Sequence, residues 1–481
     1  MSRILMVGSE AVPFVKTGGL ADVLGGLPPA LARAGHDVAV VIPKYRKVDL
    51  FGAERVFHEL PVWLGGHLHT VAVDRVTDRG VQFLFVNCPW AFDREGIYNV
   101  GNNDYYDNHI RFALFSRAAI EVARRVFRPN VIHAHDWQAS LTAPYLKTSH
   151  SSDPTFFGVK TVLTIHNLGY QGQFALGLGH ELGLDPAMLG PGGPLEFHGS
   201  LNFLKSGIVF ADAISTVSKA YAGEIQTAEF GFGLDGLLRS RADVLSGILN
   251  GVDYSEWNPE HDRYIPRNYS ADALEGKKEC KRSLLGEFGL PEENMERPLI
   301  GIVSRFASQK GFDLVAEVAR GLVDLGASLA VLGSGDPGYE NMFRGLAAWR
   351  PDRVGLRIGY DNPLSHRIEA GADMFLMPSR YEPCGLNQIY SLRYGTIPIV
   401  RATGGLDDTI KEGTGFKFWS YAGHDLYECI RVAVQAYEDR EGWTEMMVRA
   451  MREDFSWDVS AREYGALYDS LVKPAAGGVA A

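Results

Sequence analysis

Along this 481-residue chain, short apolar runs alternate with longer stretches whose apolar positions recur every three or four residues. The short runs lie at residues 4–7, 38–42, 82–86, 131–134, 161–165 and 213–216, and again at 299–303, 328–332, 354–358, 374–377 and 397–400. Runs this short, apolar without clean alternation, predict strands of a parallel sheet covered on both faces. Between them, stretches such as the one carrying Ala113, Ala118, Ala119, Val122 and Val126 predict amphipathic helices. Alternating strands and helices predict a doubly wound α/β architecture. The series breaks once, where residues 258–281 turn polar and open with Asn258-Pro259-Glu260-His261-Asp262-Arg263. A single core rarely grows past about 250–300 residues, so this break reads as a linker between one domain at 1–257 and a second at 258–455. Two such domains would have a cleft between their strand C-termini, where open α/β sheets bind ligands.

The composition narrows the classes. An apolar fraction of 46% with 22% charged residues belongs to a chain that buries a core rather than a disordered one. A net charge of -11 lacks the basic footprint that a nucleic-acid partner requires. The four cysteines, Cys88, Cys280, Cys384 and Cys429, are widely spaced and form no CxxC pair. No disulfide framework or metal cluster is expected, and a reducing cytoplasm is. The apolar run at residues 4–7 is too short for a signal-peptide core. No run approaches the roughly 18 apolar residues of a membrane span, so no membrane partner is expected. From Lys473 the Ala- and Gly-rich end reads as a loose tail, 474–481.

Candidate chemistry sits at the predicted strand ends. Lys16-Thr17-Gly18-Gly19-Leu20-Ala21-Asp22 follows the first strand and opens a helix. Its glycines let backbone approach a ligand, and its helix N-terminus offers free amides to an anion. The same residues also fit an ordinary strand-to-helix turn with a solvated lysine. An echo, Thr403-Gly404-Gly405-Leu406, follows the run at 397–400, where Thr403 also fits a plain helix cap. Arg305 and Lys310, in Ser304-Arg305-Phe306-Ala307-Ser308-Gln309-Lys310-Gly311, place two cations where a leaving diphosphate would need them. A solvated basic loop is the alternative. Glu382, in the turn Glu382-Pro383-Cys384-Gly385-Leu386, offers a carboxylate to sugar hydroxyls. Cys384 has no base beside it in sequence and reads as a small buried hydrophobe. His133 and His135, two apart on a strand, share a face, yet no third or fourth ligand stands near, so no metal site is expected. Trp137 and Tyr170, beside Asp136-Trp137-Gln138 and His166-Asn167, offer rings for stacking on sugars.

In this order and together, these motifs resemble the family of bacterial glycogen synthases and plant starch synthases. The resemblance runs from Ile4 to about Tyr468, and also takes in residues 233–238, 249–253 and Trp257-Asn258-Pro259. It implies the GT-B fold: two Rossmann-like, doubly wound parallel-sheet domains with an inter-domain cleft, and a C-terminal helix, at 456–473, that crosses back to the first domain. It implies an ADP-glucose donor, an α-1,4-glucan acceptor such as glycogen extended at its non-reducing 4-hydroxyl, retention of configuration, and no cofactor or metal. Residue by residue, it places Lys16, Gly18 and Gly19 on the donor's phosphate and sugar side, and Arg305 and Lys310 on the leaving diphosphate. Glu382 would hold the donor glucose, with Cys384, Gly385 and Leu386 in the same turn and Thr403 and Gly404 beside it, and His166 would donate to a glucose hydroxyl. Asp22, Tyr98, Asp136, Asn167 and Asn250 would line the sugar and acceptor side, and Tyr360 is the candidate to stack on adenine.

Two positions depart from related patterns. Tyr390 stands where many retaining GT-B enzymes carry a second Glu on the ribose, and Lys219 stands where a proline is common. No side chain of the set is an obvious covalent nucleophile on the sugar's β face, so front-face transfer through an oxocarbenium-like state is expected, the departing diphosphate oxygen taking the acceptor's proton. Other readings stay open on the residues alone: a UDP-glucose enzyme, a transferase building sucrose or trehalose, or an inactive sugar-binding module. A dinucleotide oxidoreductase has only the fragment Gly333-Ser334-Gly335 in its favour.

Overall fold

The computed structural model describes residues 1–101 and 103–472. Lys473 and the expected tail at 474–481 lie outside the described residues. The chain divides into two compact units. The first comprises Met1–Val217, Ala222–Gly251 and the chain from Trp457 onward; the second comprises Ser218–Tyr221 and Val252–Ser456.

The first unit is built on a nine-stranded sheet. Its order is Leu245–Gly247, Ala213–Thr216, Lys160–Ile165, Val131–His135, Arg3–Val7, Asp37–Pro43, Val81–Asn87, His67–Asp78, Glu54–Leu64. From Leu245–Gly247 to Val81–Asn87 all neighbours are parallel, and the last two strands add an antiparallel hairpin. The parallel strands are buried on both faces, as their unbroken Val, Ile and Leu runs dictate. The hairpin is not: Leu60, Val62 and Leu64 are buried while Glu59 and Trp63 face solvent. That one-sided burial made the hairpin invisible to a search for apolar runs. The order reverses at Arg3–Val7, which has the next strand in sequence on one side and the much later Val131–His135 on the other. Right-handed crossovers then send the loops after these two strands to opposite faces, opening a crevice at the strand ends.

The second unit repeats this plan with six parallel strands, in the order Val354–Ile358, Ser328–Gly335, Leu299–Phe306, Met374–Met377, Ile397–Arg401, Phe416–Phe418. Its reversal lies between Leu299–Phe306 and Met374–Met377.

The polar run after Asn258 is no free linker. The boundary between the units falls earlier, at Gly251–Val252, and the chain returns at Ser456–Trp457. Residues 258–274 pack onto the second unit, where Asp262, 4% exposed, bonds His366 Nδ1 at 2.8 Å and the Tyr394 hydroxyl at 2.5 Å. From Glu275 the chain is helical, Glu275–Phe288, with Lys277 and Lys281 buried. Lys277 Nζ donates to the carbonyls of Ala370 and Tyr394, each at 3.0 Å, and to Thr396 Oγ1 at 2.7 Å. The polarity here marks buried hydrogen bonding rather than solvation. Tyr390 is spent in the same region: it stacks on Trp257 at 4.0 Å, and Trp257 stacks on His366 at 3.7 Å. Lys219 also has a reason to be no proline, because its amide donates to Asp408 Oδ2 at 2.5 Å.

The last described helix, Trp457–Val472, packs within the first unit. Arg33 meets Asp458 at 2.6 Å, the Tyr468 hydroxyl meets His133 Nδ1 at 2.8 Å, and Trp457 lies over Gly26. Among the described residues no helix is long and apolar enough to cross a membrane. A Cβ on Gly26 would come within 2.0 Å of Trp457 Nε1. Gly26→Ala is therefore expected to lower the urea midpoint. Overpacking costs about 1–3 kcal/mol, more than the roughly 1 kcal/mol at most that filling a helical glycine returns. An unchanged or raised midpoint would show that this helix does not bear on the core at Gly26.

Candidate functional site

At the first unit's reversal, the loop after Arg3–Val7 carries Glu10 and leads through Lys16 into the helix Gly19–Arg33. Glu10 is 3% exposed. Its carboxylate accepts from the Thr17 amide, from the Gly18 amide at 3.2 Å, from Thr17 Oγ1 at 2.9 Å and from the Tyr98 hydroxyl at 3.1 Å. The Tyr98 oxygen also meets Ser9 Oγ at 2.6 Å. Burial raises the Glu10 pKa against the pull of these bonds. The Thr17 and Gly18 amides, just ahead of the helix that begins at Gly19, thus already serve a carboxylate. What the glycines leave for a ligand is room, since a Cβ on Gly18 or Gly19 would meet nothing within 4 Å. Lys16 Nζ rests on Asp22 Oδ1 at 2.7 Å, and burial raises the Asp22 pKa while Lys16 opposes it.

The strand Val131–His135 is followed directly by Asp136, whose φ of 55° is left-handed and uncommon for a residue with a side chain. Its carboxylate accepts from the His166 amide at 2.7 Å and from the Asn167 amide. It thereby ties the loop after the neighbouring strand Lys160–Ile165 to its own. Burial pushes its pKa up to about 7. His166 Nε2 lies 3.0 Å from His135 Nδ1. His133 has both ring nitrogens engaged, by the Tyr468 hydroxyl and by Thr164 Oγ1 at 2.6 Å. Among the described residues no group of three His, Cys, Asp or Glu side chains is arranged to hold a metal ion. Asn250 is buried, and its Oδ1 has no hydrogen-bond partner among the described residues.

In the second unit the reversal brings together the loops after Leu299–Phe306 and Met374–Met377. Lys310 Nζ donates to Glu382 Oε2 at 2.5 Å, and Ser379 Oγ donates to the same oxygen at 3.0 Å. Arg305, at the end of the first of these strands, is exposed, and its guanidinium makes no ion pair with a described residue. Two glycines make the approach possible. Gly311 has φ 76°, and a Cβ there would lie 1.9 Å from the Pro378 carbonyl oxygen; a Cβ on Gly405 would lie 2.0 Å from the Cys384 carbonyl oxygen. The Gly405 amide donates to the Glu382 carbonyl at 3.1 Å, and Thr403 begins the short helix Gly404–Thr409. Gly404–Gly405 therefore buttresses the Glu382 turn, whereas Gly18–Gly19 faces open space. Cys384 is buried, Gly385 takes φ 70°, and Leu386 precedes the helix Asn387–Arg393. Tyr360 is 89% exposed, after Gly359 at the end of Val354–Ile358.

Among the predicted residues, Lys16, Gly18, Gly19, Asp22, Tyr98, Asp136, His166 and Asn167 gather at the first reversal, and Arg305, Lys310 and Glu382 at the second. Trp137 is corrected. It is 9% exposed and packs among Tyr98, Phe112, Phe174 and Phe203, so it belongs to the core and offers no ring to a sugar. Tyr170 is exposed. Glu10, Ser379 and His135 went unnoticed as site residues. Glu10 stands alone in an apolar context, and only its place two residues after Gly8, in the loop that follows the strand Arg3–Val7, marks it.

Comparison with known proteins identifies the family and the fold. Residues 3–240 match the family described as starch synthase catalytic domain, and residues 289–446 match glycosyl transferases group 1. The glycogen synthase of Koribacter versatilis is 51% identical, covering 97% of this chain and 98% of that protein. The glycogen synthase of an Anaeromyxobacter species is 48% identical over 98% of this chain and 100% of its own. The catalytic domain of starch synthase IV from Arabidopsis thaliana, solved with ADP and acarbose, superposes with a TM-score of 0.88 at 32% identity, covering 98% of this chain and 99% of its own. Sucrose-phosphate synthase from Thermosynechococcus elongatus, at 17% identity and TM-score 0.58 over 98% of this chain and 99% of its own, shares the fold.

The raised Asp136 pKa has a signed consequence for stability. The native carboxyl holds its proton up to about 7, whereas an ordinary aspartate's pKa is 3.8. The folded state therefore binds more protons than the unfolded chain between these limits, and stability falls as pH rises through them. Asp136→Asn keeps an oxygen for the His166 and Asn167 amides and removes the buried charge. Its gain in melting temperature over wild type should grow from about pH 4 to about pH 7 and stay flat above. A pH-independent difference between the two melting curves would contradict the burial of this charge.

Proposed function

The chain belongs to the family of bacterial glycogen synthases and plant starch synthases, glycosyltransferases of the GT-B fold, and we propose that it transfers an α-glucosyl unit from ADP-glucose to the non-reducing 4-hydroxyl of an α-1,4-glucan. Configuration is retained and ADP is released. The observation that carries this reading is the Lys310–Glu382 ion pair at the second reversal, with Arg305, which makes no ion pair with a described residue, near the end of the strand that leads to Lys310. Each partner of the pair suits one half of a nucleotide sugar: the ammonium a diphosphate, the carboxylate the hydroxyls of the sugar. The starch synthase solved with ADP and acarbose supports the same nucleotide and an α-glucan acceptor.

In the step itself the bond between C1 and the diphosphate oxygen breaks, and its electron pair leaves with the phosphate. Arg305 and Lys310 neutralise that charge as it grows, where a preorganised cation is worth most. The acceptor hydroxyl attacks C1 from the face the diphosphate is leaving, and its proton passes to the departing phosphate oxygen. Glu382 fixes the glucosyl unit and His166 donates to one of its hydroxyls. Lys16, through the open space at Gly18 and Gly19, meets the donor, and Tyr360 stacks on the base. Asp22, Tyr98, Asp136, Asn167 and Asn250 serve the sugar and acceptor side. The second unit is the donor side and the first the acceptor side. Among the described residues no disulfide joins the four cysteines, which supports a cytoplasmic setting.

The direct test is incorporation of labelled glucose into glycogen from ADP-glucose and, in parallel, UDP-glucose, both with EDTA present. Incorporation from ADP-glucose is expected. Incorporation from UDP-glucose alone would overturn the nucleotide, and none from either would overturn the transfer. Lys310→Ala and Glu382→Ala should each lower turnover by about 10²–10³ with an unchanged circular-dichroism spectrum. Near-normal rates in both would remove these residues from the mechanism.

A further inference from the structure

His135 has no part in the chemistry above, yet its surroundings constrain the histidine that does. It closes the strand Val131–His135, fully buried, and its ring lies tilted against His133 with centroids 4.1 Å apart and stacks on His166 at 5.3 Å. Its Nδ1 meets His166 Nε2 at 3.0 Å, and its own Nε2 has no partner among the described residues. Two neutral imidazoles that share one hydrogen bond have two arrangements, and they are not equivalent here. If His166 donates from Nε2, His135 must carry its proton on Nε2 and bury an N–H with no acceptor. If His135 donates from Nδ1, its Nε2 keeps only a lone pair. A buried donor without an acceptor is rarer and costlier than an acceptor without a donor. The second arrangement wins, and it leaves the single proton of His166 on Nδ1.

Both rings are neutral. Burial holds the pKa of His135 well below the ordinary imidazole value, with His133 and His166 adding to the effect. Burial alone takes His166 down to about 3. The charged form, in which both nitrogens of a ring would donate, is therefore out of reach near neutral pH. His133 is locked separately by Tyr468 and Thr164, so it cannot exchange partners with His135.

We propose that His135 is a positioning residue that fixes the tautomer of His166, presenting Nδ1–H rather than a bare nitrogen to the substrate. This rests on the reading that His166 donates to a hydroxyl of the transferred glucose. Asp136, next in sequence, fixes the His166 backbone through its amide, so one strand end sets both the place of that residue and its protonated nitrogen.

Substitution can separate this role from packing. In His135→Asn the side-chain amide nitrogen replaces Nδ1–H as donor, whereas His135→Leu fills the space and donates nothing. The expected result is turnover within about threefold of wild type for H135N and at least about tenfold lower for H135L, with KM for ADP-glucose little changed in either. Equal losses in both variants, or none in H135L, would overturn the proposal. Nitrogen-15 spectra of histidine-labelled wild-type protein, with His166 identified by its absence in His166→Ala, read the tautomer directly. An Nδ1–H signal is expected, and an Nε2–H signal overturns the proposal even if H135L fails to fold. Full turnover in His166→Ala would instead remove His166 from the reaction, and His135's role with it, whichever tautomer the spectra show.

Discussion

The short hydrogen bond between Lys310 and Glu382 exists because a parallel sheet reverses its strand order between Leu299–Phe306 and Met374–Met377. Adjacent strands whose crossovers depart to opposite faces leave their end loops facing each other across a gap. One loop contributes the ammonium and the other the carboxylate. These two loops meet closely because Gly311 carries no side chain where a Cβ would strike the Pro378 carbonyl oxygen, and Gly405, in the helix after the next strand, lets that segment close on the Cys384 carbonyl oxygen and buttress the Glu382 turn. The ion pair also neutralises Glu382, a mostly buried carboxylate that would otherwise be uncompensated. A nucleotide sugar would take over both partners, its diphosphate replacing Glu382 on the lysine and its hydroxyls supplying hydrogen bonds to the carboxylate in place of Lys310.

The first unit uses the same topological device for a different end. At its reversal the organising groups are carboxylates that accept backbone amides: Glu10 from Thr17 and Gly18, Asp136 from His166 and Asn167. Both have raised pKa values with burial as the leading cause. They act as scaffolding for the loops that display Lys16 and His166. Two Gly-Gly helix starts that look alike in sequence thus diverge in purpose, one leaving space and the other closing a turn.

Much of this was legible before any coordinates. The parallel strands announced themselves as apolar runs because both faces of the sheet are covered, and Arg305, Lys310 and Glu382 stood at strand ends, where function collects. What escaped has identifiable causes. The hairpin Glu54–Leu64 and His67–Asp78 buries one face only. The run after Asn258 looked solvated because its polar groups, Asp262 and Lys277 among them, find partners far along the chain at His366, Tyr394 and Thr396. Trp137 looked like a sugar platform because sequence does not reveal which way a ring turns, and it turns into the core. Glu10 and His135 act through other residues, and spacing carries no signal for that.

The measurement that bears most directly on the central claim is a crystal structure of the protein with ADP bound. We expect a phosphate oxygen on Lys310 Nζ, with the lysine released from Glu382 and Arg305 turned to the same diphosphate. ADP seated away from the loops at 306–311 and 378–386, with the Lys310–Glu382 pair intact, would contradict the assignment of that pair as the donor site.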